Sequence, residues 1–211
     1  MVIRKDIKEF LSTLPNNVTL VAATKYIDFT FMRALFNAGA VNFGENRVED
    51  FLKKYDELSD LPVRWHFIGH LQRNKARKVI DKINCLHSLD SLALASIIDK
   101  YRTQPLDCFV EVSINQEESK NGLPINEVKS FIKDCRKYKN VHIVGLMMMA
   151  IAKSDEASLH DQFSSLRKLR DALEKELNIS LPYRSMGMSD DYLIAIQEGA
   201  THVRLGRILY E

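Results

Sequence analysis

Glycine and proline are scarce, eight and five in 211 residues, and they are too scattered to mark a linker between domains. No glycine-rich loop follows the first apolar run, where Thr24-Lys-Tyr-Ile-Asp28 contains none. That speaks against the dinucleotide-binding turn of an open, doubly wound sheet. P-loop and nucleophile-elbow patterns are missing as well. Cysteine is sparse: Cys85, Cys108 and Cys135 are odd in number, widely spaced and without a C-x-x-C, which excludes a disulfide framework and fits a reducing compartment. An excess of one charge is also lacking, since 30 basic and 28 acidic residues leave a formal charge of +2. Neither nucleic acid nor a membrane surface is an expected partner. The most basic stretch, Arg73-Asn-Lys-Ala-Arg-Lys78, reads as a solvated helix face. No apolar run is long enough to span a bilayer, and the charged opening segment (Arg4, Lys5, Asp6, Lys8, Glu9) does not suit a signal peptide. A cytoplasmic location is the simplest expectation.

What the chain does have is alternation. After a short amphipathic helix (Ile3, Ile7, Phe10, Leu11), strand-like runs are expected at 18–25, 41–44, 64–69, 84–89, 107–114, 141–148, 183–187 and 202–206. Helix-period segments separate them at Phe29–Ala38, Val48–Leu58, Leu92–Tyr101 and Val128–Tyr138, and the longest is expected from Asp155 to Leu177. Several strands are apolar on both faces, as in Cys108-Phe-Val-Glu-Val-Ser-Ile114 and Val141-His-Ile-Val-Gly-Leu146, the mark of a sheet covered on both sides. Eight such units predict an α/β fold, a single (β/α)8 TIM barrel. A barrel needs about 200 residues, so one domain is expected over 1–211.

The barrel turns sequence positions into a site, because its functional groups gather where the strands end. That edge collects Lys25, Gly44 to Asn46, His66 to His70, Ser88 to Asp90, Asn115, Met147 to Met149, Ser185 to Ser189 and Arg204 to Arg207. Lys25 closes a run apolar enough to be buried, and burial favours the neutral amine that attacks a carbonyl. Loops after the last two strands commonly hold phosphate. The donors expected there are the hydroxyls of Ser185 or Ser189 and the backbone N–H groups near Met186, Gly206 and Arg207. Ser189 is expected to cap a helix whose first turn holds Asp190 and Asp191. Pyridoxal 5'-phosphate carries both a carbonyl and a phosphate.

Eight segments carry a resemblance in order along nearly the whole chain. They are Leu20-Val-Ala-Ala-Thr-Lys25, Phe43-Gly-Glu-Asn46, Trp65-His-Phe-Ile-Gly-His-Leu-Gln72, His87-Ser-Leu-Asp90, Asn121-Gly122, Gly145-Leu-Met147, Ser185-Met-Gly-Met-Ser189 and Val203-Arg-Leu-Gly206. With these the chain resembles the pyridoxal phosphate homeostasis proteins, whose barrel is that of the alanine racemase N-terminal domain (fold type III among pyridoxal phosphate proteins). The resemblance implies that Lys25 forms the Schiff base, that Asn46 lies near the cofactor ring, and that Ser185, Ser189, Gly206 and neighbouring amides, including those of Met186 and Arg207, hold the phosphate. It places Arg204 at the pyridine nitrogen, where a cation discourages protonation and makes the ring a poor electron sink. A carrier that buffers pyridoxal phosphate and hands it to cofactor-free enzymes is therefore implied, acting as a monomer with little or no catalysis of its own. Arg207 stands where the family often has a small residue.

An amino-acid racemase on the same barrel is the alternative. It needs a second proton-transferring group, which alanine racemase-like enzymes take from a further domain, and the barrel is expected to use all 211 residues. A Schiff-base aldolase would want acid-base partners on the sixth strand, which has none. Metal chemistry is not expected of His66 and His70, which lack the H-E-x-x-H helix, and Met147 to Met149 suit core packing.

Overall fold

The computed structural model describes residues 3–114 and 121–210; Asn115 lies outside them. The strands are β1 (Thr19–Ala23), β2 (Asn42–Glu45), β3 (Arg64–Phe67), β4 (Cys85–Leu89), β5 (Leu106–Ser113), the two-residue β6 (Leu123–Pro124), β7 (Val141–Met147), β8 (Tyr183–Ser185) and β9 (His202–Leu205). The helices are α1 (Ile7–Thr13), α2 (Phe29–Asn37), α3 (Val48–Glu57), α4 (Arg73–Ala76), α5 (Leu92–Tyr101), α6 (Ile125–Cys135), α7 (Glu156–Leu177) and α8 (Tyr192–Gln197). Neighbouring strands run parallel in the order β4-β3-β2-β1-β9-β8-β7-β5, and β4 pairs with β5 to close the ring. This is the eight-stranded parallel barrel, with β6 an addition beside β5. Among the described residues no helix is long and apolar enough to cross a membrane.

Local chemistry accounts for the helix boundaries. Asp28 accepts from the amides of Thr30 and Phe31, Ser91 from Leu94 and Asp155 from Ser158, each serving as an N-cap. At the far end of α7 Asn178 turns left-handed (φ 49°), as the residue after a helix often does. The sixth helix starts three residues earlier than its apolar period suggests, because Pro124 stands just before its first turn. Short elements such as α4 and β6 carry too few residues to show a period.

Period-2 alternation divides the strand residues into two cores. Outward-facing Leu20, Phe43, Phe67, Leu86, Val110, Leu146, Val203 and Leu205 join the helices in the main apolar cluster. Cys85, Phe109, Val144 and Met147 form a separate cluster inside the ring. The lumen also holds polar residues: His66, His87, Glu111, Ser185, His202 and Arg204 are all buried. Gly145 permits β7 and β8 to approach, since a Cβ there would stand 1.9 Å from the Tyr183 carbonyl oxygen.

A buried ion pair fastens the top of β1. Lys54 Nζ donates to Glu45 Oε1 at 2.6 Å and to the Thr24 carbonyl at 2.7 Å, while Thr24 Oγ1 donates to the same Glu45 oxygen at 2.6 Å. Removing one partner of a buried pair strands the other charge, so Lys54→Ala should cost about 3–5 kcal/mol in urea unfolding. The double variant Lys54→Met/Glu45→Gln should recover part of that loss. A Lys54→Ala cost below about 1 kcal/mol would mean the pair acts as weakly as an exposed one.

Candidate functional site

The C-terminal ends of β9, β1 and β2 lie side by side. Ala22 is in register with both Phe43 and Leu205, which brings the segments after these strands to one part of the rim. Thr24 bonds through its amide to the Gly44 carbonyl at 3.0 Å, and Ile27 N–H returns to the Thr24 carbonyl at 3.1 Å. Lys25 therefore sits in a tight turn anchored at both ends. The expected burial of Lys25 is corrected here. The strand stops at Ala23, the turn lifts Lys25 to the surface, and its Nζ lies 4.8 Å from the centroid of the exposed Tyr26 ring.

Asn46 follows β2 and is half-buried, and its Oδ1 is buried with no hydrogen-bond partner. Gly69 packs against it so closely that a Cβ would come within 2.5 Å of the Asn46 carbonyl oxygen. A clamped amide with an orphaned oxygen at a barrel rim marks a place where a ligand donor completes the bonding.

The segment after β8 differs from expectation in three places. Ser185 is fully buried and its hydroxyl turns into the lumen, 2.8 Å from His87 Nδ1 and accepting from Arg204 Nη1 at 2.7 Å. It lies below the rim rather than among phosphate donors. The Met186 amide is consumed by the His202 carbonyl at 3.1 Å, because the β8–β9 pairing runs one residue past the strand. Ser189 does not cap α8: Asp191 takes that place, and its carboxylate accepts from Met188 N–H at 2.5 Å. Ser189 Oγ instead accepts from the amides of Gly206 at 3.2 Å and Ile208 at 3.4 Å. Two amides converging on one oxygen acceptor is the geometry that suits an anion's oxygen. Gly187 holds the turn with φ +94°, and a Cβ there would meet Ala195 at 2.6 Å.

Arg204 is buried on the lumen side of β9, donating to Ser185 and, through Nη2, to the Met148 carbonyl at 2.9 Å. Burial pulls its pKa down to about 10, against the pull of Glu111 and Asp191. Arg207 pairs with Asp190, and both side chains are well exposed. Met147 and Met148 are buried, whereas Met149 is partly exposed.

Glu111 is a buried lumen carboxylate that motif reading passed over. It is 3% exposed, its Oε2 has no partner, and burial followed by the Asp90 charge raises its pKa to about 7. An acidic residue inside the otherwise apolar run of β5 was the available signal. Its side of the strand was not apparent.

Comparison with known proteins follows this geometry closely. Residues 3–211 match the family described as alanine racemase, N-terminal domain. The pyridoxal phosphate homeostasis protein of Aquifex aeolicus is 39% identical over 198 residues, covering 92% of this chain and 87% of its own. That of Schizosaccharomyces pombe is 34% identical and covers 99% and 89%. The structure of PipY from Synechococcus elongatus with PLP bound superposes with a TM-score of 0.91 at 32% identity, over 97% of this chain and 100% of that one. An alanine racemase from Clostridium difficile shares the fold, with a TM-score of 0.81 at 14% identity over 57% of its length. The chain thus has the fold type III barrel and belongs to the alanine racemase N-terminal domain family. Within that family it is a member of the pyridoxal phosphate homeostasis proteins.

The buried imidazoles predict a pH dependence of stability. Desolvation, with the charges of its neighbours, holds His66 at about 3 and His202 at about 4, and lowers His87 well below 6.5. For His202 burial is the largest cause, followed by the charges of Arg204 and Arg64. The unfolded chain binds more protons below about pH 6.5, so this stability is complete above that pH and is lost towards pH 4 at up to about 1.4 kcal/mol per unit per histidine. Glu111 works oppositely, weakening the fold as pH rises from 4.5 towards about 7. Three histidines outweigh one carboxyl, so urea midpoints should fall from pH 7 to pH 5. His202→Asn should reduce that slope, and an unchanged slope would remove His202 from the account.

Proposed function

We propose that this protein binds pyridoxal 5'-phosphate at the C-terminal rim through a Schiff base on Lys25, and carries and buffers it for cofactor-free enzymes in the cytoplasm, as a monomer. The observation that carries this function is the convergence of the Gly206 and Ile208 amides on Ser189 Oγ beside the strand that leads into Lys25. The phosphate-bearing end of the ligand fits that pair, with the Ser189 hydroxyl turned to donate. Support also comes from PipY, whose structure has PLP bound.

The residues present fit the cofactor. Lys25 supplies the amine, and its condensation with the aldehyde releases one water. Its exposure in a pinned turn leaves it reachable by the incoming aldehyde and by the enzymes that take the cofactor away. Asn46 offers an unsatisfied oxygen beside the ring, and Gly206, with no side chain, leaves its backbone accessible to the ligand. Bound pyridoxal phosphate supplies an aldehyde and an electron-withdrawing ring. Arg204 is locked by Ser185 and Met148 and keeps a cation on the lumen side, where it opposes protonation of a ring nitrogen placed near it. That arrangement holds a cofactor while suppressing its carbanion chemistry.

Lys25→Ala should fold normally and lose the borohydride-reducible adduct, read by mass spectrometry. An adduct that persists would place the attachment on another lysine. Mixing the loaded protein with a cofactor-free transaminase should restore its activity faster than simple release allows, whereas rapid formation of D-alanine from L-alanine would establish a racemase instead.

A further inference from the structure

The opposite mouth of the barrel has a cavity of its own, about 310 Å³ in volume. The first residues of several strands line it, among them Asn42, Arg64, Cys85 and His202, so it opens at the N-terminal end of the ring. Three metal-ligating side chains meet at this end. Cys85 and His87 stand two apart on β4 and share its inner face, while His66 on β3 is in direct register with Cys85. One ligand atom from each of the three lies within 4.8 Å of the others, and all three residues are buried.

Both nitrogens of each imidazole are engaged in hydrogen bonds, and a metal would replace the one between the two rings. His66 Nε2 lies 3.2 Å from Asn42 Oδ1, and His87 Nδ1 lies 2.8 Å from Ser185 Oγ. Each ring is therefore oriented through its far nitrogen, as second-shell partners orient metal-bound histidines. The near nitrogens, His66 Nδ1 and His87 Nε2, face each other at 2.9 Å. Burial keeps both rings neutral, the form that binds metal.

We propose that His66, His87 and Cys85 form a zinc site, separate from the Lys25 rim, with its fourth position open to the basal cavity. Two imidazoles and one thiolate suit tetrahedral zinc. On binding, the Cys85 thiol passes its proton to water in the cavity and a Zn–S bond forms, with no change of oxidation state. Asp107 and Arg64 also line the cavity, with Asp107 Oδ1 2.7 Å from His142 Nδ1.

Occupancy reaches the other end of the lumen through the tautomer of His87. Without metal, one direction of donation satisfies every bond in the chain: Arg204 to Ser185, Ser185 to His87, His87 to His66, and His66 to Asn42. Zinc on His87 Nε2 removes the proton from that nitrogen, so Nδ1 must carry it and donate to Ser185. The Ser185–His87 bond then reverses beneath Arg204. Zinc at the base is thereby linked to Arg204, which faces the ring nitrogen in the proposed function, although the metal site itself does not depend on that function.

Cobalt(II) titrated into the tag-free, full-length protein should give one equivalent of tetrahedral d–d absorption with a thiolate charge-transfer band, displaced by zinc. Cys85→Ser should abolish that band and His66→Gln should weaken binding by more than about tenfold, while Cys108→Ser and Cys135→Ser keep both signals. Lys25→Ala should retain the metal spectrum even as the rim adduct disappears, which separates failure of one site from failure of the other. The ellipticity of Cys85→Ser, compared with that of the parent, establishes that the variant is folded. Absence of a stoichiometric cobalt spectrum, or a charge-transfer band that survives in folded Cys85→Ser, overturns the proposal.

Discussion

A closed ring of eight strands encloses a lumen too narrow to hold bulk water, so polar groups inside are driven to partners in the protein, Glu111 Oε2 being an exception. This constraint organises the whole interior. Arg204 is buried, so it binds Ser185 and the Met148 carbonyl. Ser185 then faces His87, His87 faces His66, and the line ends at Asn42 by the basal cavity. The lumen becomes a polar column joining the two mouths, with a small apolar cluster around Phe109 packed beside it.

The two ends of that column meet different conditions. At the rim, bonds are left open or are made to replaceable partners: Asn46 Oδ1 lacks a partner, and the Gly206 and Ile208 amides rest on a serine hydroxyl that can turn aside. At the base, the donors are complete as they stand and would have to be rearranged to accept a ligand. A rim of this kind suits a ligand that arrives and leaves. A base of this kind suits an ion held by more than one bond. The Glu45–Lys54–Thr24 knot keeps the rim from drifting, because it ties the end of β1 to β2 and α3 directly below the exposed lysine.

The eight-unit barrel and most element positions were legible in the chain. Strand runs apolar on both faces mean a covered sheet, and regular alternation with helices means parallel pairing. The rim was legible too, since Lys25, Asn46, Ser189 and Gly206 each follow a strand. Less legible was which side of a strand each residue takes when both sides are buried. Ser185 and Met186 follow the same run, yet one hydroxyl enters the lumen and one amide is spent on pairing with β9. His87, Glu111 and His202 were passed over for this reason, and His66 was assigned to the rim although it lines the basal cavity, because period-2 alternation separates two faces without labelling the inner one.

The sequence by itself determined that the chain forms eight strand–helix units, and that Lys25, Ser189 and Gly206 follow strands adjacent in a ring. Hydrophobic period and capping chemistry are local properties, and they are written in neighbouring residues. Tertiary structure alone decided that Lys25 stands in solvent, that Ser185 serves Arg204, and that two histidines and a cysteine from neighbouring strands meet at the base. These outcomes depend on ring closure and strand register, which bring together side chains such as those of His87 and Ser185, 98 positions apart, a distance no local pattern spans.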